Sequence, residues 1–212
     1  MNRNILYILD LDRTISDVNK VMEITKQVCE ELGIDFDQIY KDQQDLQARG
    51  TAYSPFKFIA DHHSDTEIFK ARFCELAANN RLLFPDSADL LKRLNSGGYD
   101  YMFLTHGVDD DWQKLKLQAA GLIKKPYVIV KDRYKSRVIA GWVQGNYLKP
   151  ELDGLHEYEK FVFVDDRGEA FIDFPSQIGA GFLIDRFSKF TEDLKLPKNV
   201  IKIKDLSEVN VS

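Results

Sequence analysis

Cysteine and histidine, the residues that hold disulfides and soft metal ions, are scarce in this sequence. Among its 212 residues there are two cysteines and four histidines. Cys29 and Cys74 have the spacing of neither a metal-ligand pair nor a redox motif, and both fall in helical-looking segments, so we expect them to be buried core thiols. The lack of a cysteine or histidine cluster disfavours a soft metal.

Long hydrophobic runs and an excess of basic residues are also absent. No apolar run approaches the length of a membrane span, and the first one, interrupted by Asp10, is too short for a signal peptide, so we expect a cytoplasmic protein. The net charge of -5 disfavours nucleic acid and anionic membranes as partners. The hydrophobic content of 44% and the charged content of 30% are typical of a folded globular protein with one or two domains.

Six short apolar runs predict the strands of a parallel sheet. They lack a strict alternation of polar and apolar residues, as strands covered on both faces do. The predicted strands are residues 5–9, 101–104, 127–130, 161–164, 181–184 and 200–203. Helical patterns at residues 87–95, 109–120 and 136–143 lie between them. This alternation predicts an α/β fold with a doubly wound, Rossmann-like parallel sheet.

One long interval, residues 17–83, interrupts the alternation of strands and helices. Its apolar residues recur at helical spacing and it contains no convincing strand. Because this interval is too long for a simple crossover, we expect it to form a small helical bundle of its own. The predicted domains are therefore a core of residues 1–16 and 84–212 and a helical insertion of residues 17–83. The insertion leaves the sheet just after Asp12, so we expect it to lie over the site.

Two aspartates, Asp10 and Asp12, follow directly after the first predicted strand. Aspartate is common in turns and helix caps, which is the alternative interpretation. The carboxyl end of a buried strand, however, is where ligands bind in open α/β sheets. Two carboxylates that lie close together repel each other unless a cation is bound or one of them is protonated. This spacing suits a carboxylate nucleophile, a second carboxylate that moves protons and a divalent metal.

A second acidic pair, Asp165 and Asp166, ends the fourth predicted strand. If the two strand ends lie side by side, four carboxylates come together, and such a cluster is hard to stabilise without a metal. Ligation by oxygen alone indicates a hard cation, and Mg²⁺ is the best candidate. A third acidic run, 109–111, also looks like a metal site, but acids at a helix start are explained by the helix dipole.

A hydroxyl and a lysine complete the candidate constellation. Thr105 ends the second core strand, where it could donate to a phosphate oxygen or simply begin a turn. The candidate lysines after the third strand are Lys131, Lys135 and Lys149. Lys135 is favoured because it begins a helix from which it could reach both the acids and a phosphate.

The ordered set resembles the haloacid dehalogenase-like (HAD) hydrolase superfamily over nearly the whole chain. The matching pieces are Asp10-Leu11-Asp12-Arg13-Thr14, Thr105, Lys135 and Asp165-Asp166. The helical insertion is similar to the type 1 cap of that family. The resemblance implies that Asp10 attacks phosphorus, and that Asp12 protonates the leaving group and then activates a water molecule. It also implies that Thr105 and Lys135 hold the phosphoryl group.

The same resemblance implies a ligand set for Mg²⁺. The ion would be bound by Asp10, the carbonyl of Asp12 and Asp166. Asp165 would either bind the ion directly or contact one of its ligands. The last motif lacks the commonest Gly-Asp form of the family, so Glu169 and Asp173 are ambiguous as ligands.

Other departures and neighbours concern the substrate. Most members of the family carry glycine after the second aspartate, whereas this chain has Arg13, which could touch the substrate or point outward. His106 follows Thr105 and could contact the substrate or cap the next helix. Residues of the insertion that could face the site are Arg49, Tyr53, Lys57, His62 and His63.

These observations predict a Mg²⁺-dependent phosphomonoesterase that acts on a small phosphorylated metabolite. The alternatives are a phosphomutase or phosphotransferase of the same fold and a non-catalytic, phosphate-binding regulatory domain. A dehalogenase is disfavoured, because it needs neither the metal cluster nor Asp12. We expect a monomer or a weak homodimer.

Overall fold

The computed structural model describes residues 4–48, 54–62, 66–186 and 195–211. The chain divides into two compact units. The first unit comprises Met1–Ser16, Leu83–His106 and Lys125–Ser212, and the second comprises Asp17–Leu82 and Gly107–Lys124. None of the described helices is long and apolar enough to cross a membrane.

A six-stranded sheet forms the centre of the first unit. In chain order, the strands are β1 (Ile5–Leu9), β2 (Asp100–His106), β3 (Tyr127–Val130), β4 (Val143–Gln144), β5 (Tyr147–Leu148), β6 (Lys160–Asp165), β7 (Gly179–Ile184) and β8 (Val200–Ile203). The order in the large sheet is β3-β2-β1-β6-β7-β8, and every neighbouring pair is parallel. The predicted α/β class and parallel sheet are thereby confirmed. Strand β1 lies between β2 and β6, so the carboxyl ends of these three strands meet at one edge.

The central strands are buried on both faces, which explains their uninterrupted apolar sequences. Residues 6–9 of β1 are each at most 1% exposed. Aromatic rings fill the space between the sheet and the segment that follows β6: the ring centroids of Phe163 and Phe171 are 5.0 Å apart, and those of Phe161 and Phe174 are 5.4 Å apart. These contacts fix the strand that carries the second acidic pair.

Seven helices complete the two units. They are α1 (Val18–Leu32), α2 (Phe36–Ala48), α3 (Pro55–His62), α4 (Thr66–Asn79), α5 (Pro85–Gly97), α6 (Asp110–Ala119) and α7 (Lys135–Gly141) among the residues described above. Helix α5 ends at Gly98, whose φ of 68° places it in the left-handed conformation that glycine adopts readily. Helices α5 and α7 belong to the first unit, and the remaining five belong to the second.

The second unit has a hydrophobic core of its own. Helix α1 begins at Asp17, whose side chain caps it, and buries Val28 and Cys29. Burial, with a smaller contribution from Glu30, raises the pKa of the Cys29 thiol to about 12, as expected for an inert core cysteine. Cys74 is partly buried beside the same core. The prediction of a buried core thiol is therefore confirmed for Cys29, whereas Cys74 is only partly buried.

Helix α6 groups with the second unit, although the sequence analysis placed residues 107–124 in the core domain. The reason is the apolar face of α6: the ring of Trp112 packs against Phe56 and Phe73, with centroids 5.4 and 5.6 Å away. Asp109 caps the helix by accepting from the backbone N–H groups of Asp111 and Trp112. That role agrees with the helix-start interpretation of the acidic run. The assignment of residues 17–83 as a separate domain stays a prediction.

The predicted helix over residues 136–143 is wrong at its end. Helix α7 ends at Gly141, and β4 and β5 then form a short antiparallel hairpin. The turn of the hairpin contains Gly145, which has a φ of 63°, a value typical of tight two-residue turns. The sequence between the strands is Gly145-Asn146, a turn signal that the helical interpretation overlooked.

Replacing Gly181 by alanine should destabilise the protein by about 1–3 kcal/mol, the usual cost of overpacking a core. A Cβ at this position of β7 would lie 2.8 Å from Cε1 of Phe171 and 2.9 Å from Cγ2 of Val200. The matched control is Gly141→Ala, where the new Cβ would meet nothing within 4 Å. In helix α7 that change should be neutral or stabilising by up to about 1 kcal/mol. Urea unfolding of both variants measures the difference, and equal stabilities would contradict the packing described.

Candidate active site

The candidate site lies at the carboxyl end of β1, where three parallel strands end together. Leu9, the last residue of β1, is in register with Phe103 of β2 and Val164 of β6. The backbone N–H of Asp10 donates to the carbonyl of Val164 at 2.9 Å, so the ladder extends one residue beyond the strand. This bond fixes the backbone of Asp10 next to the residues that precede Asp165.

Three carboxylates come together at this edge. Oxygen atoms of Asp10, Asp165 and Asp166 all lie within 4.8 Å of one another, and all three residues are buried. The sequence predicted four carboxylates; the side chain of Asp12 is not a member of this group in the described structure. Oδ2 of Asp10 is buried and accepts no hydrogen bond from any residue that the structure describes. One oxygen of the first aspartate is therefore left for a ligand.

Lys135 is the lysine of the site. It is the first residue of α7, is 3% exposed, and its Nζ donates to Oδ1 of Asp10 and, at 2.8 Å, to Oδ2 of Asp165. Lys131 and Lys149 are exposed. The hydroxyl of Ser136, the next residue of α7, donates to the carbonyl of Ala170 at 2.6 Å and ties the start of the helix to the segment after β6.

Negative charge exceeds positive charge in the cluster, and the pKa values of its side chains are shifted accordingly. Burial would lower the pKa of Lys135, but the charges of Asp10 and Asp165 outweigh burial and raise it, so the ammonium stays charged. Burial, opposed by Lys135 and reinforced by Asp10, raises the pKa of Asp165 to about 7. Burial, Asp10 and Asp165 together raise the pKa of Asp166 well above its ordinary value. Lys135 and Arg167 lower these pKa values only in part, so they do not offset three buried carboxylates.

The donor set fits a hard divalent cation. All the clustered ligand atoms are carboxylate oxygens, which such cations prefer, and no cysteine or histidine belongs to the group. The oxygen of Asp10 that accepts from no described residue is already desolvated and adds to the uncompensated negative charge of the cluster. A divalent cation would also remove the excess negative charge that raises the pKa values of Asp165 and Asp166.

The loop after β1 carries Asp12 through a tight turn. The N–H groups of Ile15 and Ser16 both donate to the carbonyl of Leu11, at 3.0 and 2.8 Å, and that of Arg13 donates to the carbonyl of Ser16 at 2.9 Å. Arg13 has a φ of 64°, in the left-handed region that favours glycine. This conformation explains why glycine suits the position, and arginine there costs on the order of 1–2 kcal/mol of backbone strain.

Thr105 and His106 end the neighbouring strand β2. Thr105 is fully buried and in register with Ile129 of β3. His106 is half-buried, and burial together with the nearby charges of Lys135 and Arg167 lowers the pKa of its imidazole. A hydrogen bond with the backbone of Lys131 opposes this shift only in part. His106 is therefore a neutral imidazole at physiological pH.

The two ambiguous acids lie outside the carboxylate cluster. Glu169 is partly buried, and its Oε1 is 3.7 Å from Nη1 of Arg167. Asp173 is exposed and forms an ion pair with Nε of Arg137 at 2.9 Å. Neither belongs to the group of oxygens around Asp10.

A backbone N–H group adds one contact to the cluster that the sequence does not predict. The backbone N–H of Arg167 donates to Oδ1 of Asp165 at 2.9 Å, which holds the carboxylate that Lys135 also binds. A backbone donor leaves no signal in residue types. Of the candidates in the insertion, Arg49, Tyr53 and His63 lie outside the described residues, and the side chains of Lys57 and His62 are likewise not described.

The free energy of unfolding of the metal-free protein should fall as the pH rises from about 4 to about 7. The folded protein keeps a proton on Asp165, whose pKa is about 7, whereas the unfolded chain loses it near the ordinary pKa of 3.8. The fall should be roughly 1–4 kcal/mol, because a pKa change of one corresponds to about 1.4 kcal/mol. Urea unfolding in chelator at several pH values measures it. Asp165→Asn should reduce the fall and leave the part that comes from the raised pKa of Asp166, while Asp173→Asn should leave the profile unchanged. A profile that rises with pH would contradict the assignment.

Comparison with known proteins identifies the fold. No family model matches the sequence, and no curated protein matches it either. A proposed haloacid dehalogenase-like hydrolase of Burkholderia xenovorans is 14% identical, with 97% of this chain and 94% of that chain covered and a TM-score of 0.62. The magnesium-bound YfnB of Bacillus subtilis, a proposed HAD hydrolase, is 14% identical, with 97% and 96% covered and a TM-score of 0.56.

Two further solved structures show the range of activities on this architecture. A HAD phosphatase from Thermococcus onnurineus is 18% identical, with 97% of this chain and 95% of that chain covered and a TM-score of 0.53. A dehalogenase matches with a TM-score of 0.51. At such identities the similarity concerns the course of the backbone and not the reaction. This chain has the fold of the haloacid dehalogenase-like hydrolases.

Proposed function

We propose that this protein is a Mg²⁺-dependent phosphomonoesterase that hydrolyses a small phosphorylated metabolite through an aspartyl-phosphate at Asp10. One observation carries the proposal. The Asp10 carboxylate is buried beside two further carboxylates. One of its oxygens accepts from Lys135, and the other accepts from no residue that the structure describes. A carboxylate held by one oxygen, with the other directed to a ligand, suits nucleophilic attack.

The residues around Asp10 have complementary roles in this mechanism. Oδ2 of Asp10 forms a bond to phosphorus while the bond from phosphorus to the ester oxygen breaks. Asp12 gives its proton to that oxygen, so the alcohol leaves neutral. In the second step Asp12 takes a proton from water, which attacks phosphorus and frees Asp10. Lys135 and Thr105 hold the oxygens of the phosphoryl group, and the ammonium offsets their charge.

Asp10 and Asp166 are the proposed carboxylate ligands of Mg²⁺, and the backbone carbonyl of Asp12 is a third ligand. Asp165 would either bind the ion directly or contact one of these ligands. When bound, Mg²⁺ neutralises charge on the phosphoryl oxygens and lets the phosphate approach the carboxylates. The oxygen-only donor set and the excess of negative charge support this assignment.

The alternative functions differ in what they need from the site. A phosphomutase or phosphotransferase would use the same nucleophile but exclude water from the second step. A regulatory phosphate-binding domain would have no need of the reacting pair Asp10 and Asp12. A dehalogenase of this fold would gain nothing from Asp165 and Asp166 gathered around the nucleophile. The retained groups favour hydrolysis of a phosphate ester.

The partners and location follow from the same proposal. The substrate is a small phosphorylated metabolite, and the chain works as a monomer or a weak homodimer in the cytoplasm, without nucleic acid or membrane. Arg13 and His106, at the strand ends beside the nucleophile, are the proposed substrate contacts in the first unit.

Asp10→Asn should lower phosphatase activity by about 10³-fold or more, because the amide cannot attack phosphorus. Asp173→Asn, which changes an exposed acid on the same unit, is the control and should retain activity. Hydrolysis of 4-nitrophenyl phosphate and of a panel of phosphorylated metabolites measures both variants. Thermal unfolding verifies that Asp10→Asn is folded. Turnover near that of the wild type in the Asn variant would exclude the covalent mechanism.

Removal of divalent cations by chelation should abolish activity, and added Mg²⁺ should restore it. Asp166→Ala should raise the Mg²⁺ concentration needed for half-maximal activity by about 10-fold or more, while Asp173→Ala should leave it unchanged. The reverse order would show that the last acidic motif has been assigned wrongly. Full activity in chelator, with the metal content verified as negligible, would exclude the metal.

A further inference from the structure

Two side chains from distant parts of the sequence donate hydrogen bonds to the loop that follows Asp12, both at the carbonyl oxygen of Thr14. Nη2 of Arg186 donates to this oxygen at 3.0 Å, and Oγ of Ser87 donates to it at 3.3 Å. Ser87 lies in the first turn of α5, and Arg186 follows the end of β7. Thr14 is fully buried and lies two residues beyond Asp12 in the chain. Loss of either donor therefore acts on the loop that carries Asp12.

Arg186 is itself fixed from other directions. The same Nη2 donates to Oδ1 of Asp86 at 2.8 Å, and the other oxygen of Asp86 accepts from the backbone N–H of Leu206 at 2.9 Å. The guanidinium carbon lies 4.1 Å from the centroid of the Phe84 ring, a cation–π contact. The planar guanidinium thus links the loop to the start of α5 and, through Asp86, to the C-terminal segment.

Arg186 combines these stabilising contacts with one unfavourable feature. Its Nε is buried and donates to no residue that the structure describes, which disfavours the folded state. The same loop contains Arg13 in the left-handed conformation, a second unfavourable feature. Strained backbone persists where its surroundings over-determine it, and such places are often functional. Arg13 directly follows the proposed acid–base residue, Asp12, and Arg186 contacts the same loop at Thr14.

We propose that Arg186 is a positioning residue for Asp12. By holding the carbonyl of Thr14, Arg186 keeps the turn after β1 in the one arrangement that brings the Asp12 carboxylate to the leaving-group oxygen. This proposal rests on the role of Asp12 in the proposed function. Arg186 touches none of the three clustered carboxylates, so its removal should leave the nucleophile and the metal ligands in place.

Three variants separate this role from a general effect on stability. Arg186→Met keeps the length of the side chain but removes its charge and its donors. Arg186→Lys keeps the charge and one donating group. The control is Arg93→Met: Arg93 lies in α5 and donates to the carbonyls of Val209 and Leu206 at 2.9 and 2.8 Å, so it ties down the same C-terminal segment without touching the loop.

The first measurement compares two leaving groups in each variant. The value of kcat/KM reports the steps up to departure of the leaving group. Glycerol phosphate releases an alkoxide that needs a proton from Asp12, whereas 4-nitrophenyl phosphate releases a stable phenolate that does not. The ratio to compare is kcat/KM for glycerol phosphate divided by kcat/KM for 4-nitrophenyl phosphate. Arg186→Met should lower this ratio by about 10-fold, Arg186→Lys should restore it in part, and Arg93→Met should leave it unchanged.

The second measurement does not depend on activity. Amide hydrogen exchange of residues 11–16, followed by mass spectrometry, should be faster in Arg186→Met than in the wild type and unchanged in Arg93→Met. Unchanged exchange in Arg186→Met, an unchanged ratio, or an equal fall of the ratio in Arg93→Met would each overturn the proposal.

A wild-type protein that hydrolyses neither phosphate would refute the proposed function, and the positioning role with it. An active wild type in which Arg186→Met leaves the ratio unchanged would refute only the role of Arg186.

Discussion

The site depends on one buried contact, in which the ammonium of Lys135 bridges the carboxylates of Asp10 and Asp165. Burying charges is costly, and removing one partner of a buried pair usually costs about 3–5 kcal/mol because the other is left uncompensated. Lys135 therefore has a structural role besides the phosphate contact proposed for it. It joins the end of β1, the start of α7 and the end of β6 into one arrangement, and it holds one oxygen of Asp10 so that the other is left for a ligand.

The same contact leaves a charge imbalance that a cation can correct. The ammonium of Lys135 contacts two of the three carboxylates. The pKa values of Asp165 and Asp166 remain raised despite the opposing effects of Lys135 and Arg167, so full ionisation is unfavourable without further positive charge. Protonation of a carboxylate and binding of a divalent cation are the two ways to reduce this repulsion. They compete for the same carboxylate oxygens. The charges that would bind the proposed cation lie in the first unit alone, since every member of the cluster belongs to that unit.

Much of this architecture could be predicted from the sequence, because strands buried on both faces have a strong local signal. The bounds of β1, β3 and β8 agree with the predicted ones, and β2, β6 and β7 are only longer at their ends. The acidic residues at strand ends were also predictable, since parallel strands bring their carboxyl ends to one edge. The choice of Lys135 over Lys131 depended on which lysine begins a helix, and the structure places its Nζ between two of the acids.

The parts that could not be predicted depend on contacts between residues far apart in the chain. The packing of α6 against α3 and α4 rests on rings such as Trp112 and Phe56, and spacing within the helix cannot indicate which unit its apolar face will join. The backbone donor of Arg167 carries no side-chain signal at all. Arg186 is 172 residues from Thr14 and belongs to no recognisable motif. Its contact with the Thr14 carbonyl becomes apparent only once the sheet has brought the end of β7 beside the turn after β1.

The fold by itself does not determine a reaction, since a phosphatase and a dehalogenase share it with this chain. The distinction lies in what each reaction would require of the carboxylates. Attack on carbon needs one carboxylate nucleophile, and two more buried acids beside it would only add repulsion and raise the barrier to its ionisation. Attack on a phosphate ester brings a dianion to the nucleophile, which is feasible only where a cation can bind with it. Asp165 and Asp166 are unfavourable in the first case and useful in the second, and this asymmetry is the physical basis on which we propose phosphoryl transfer.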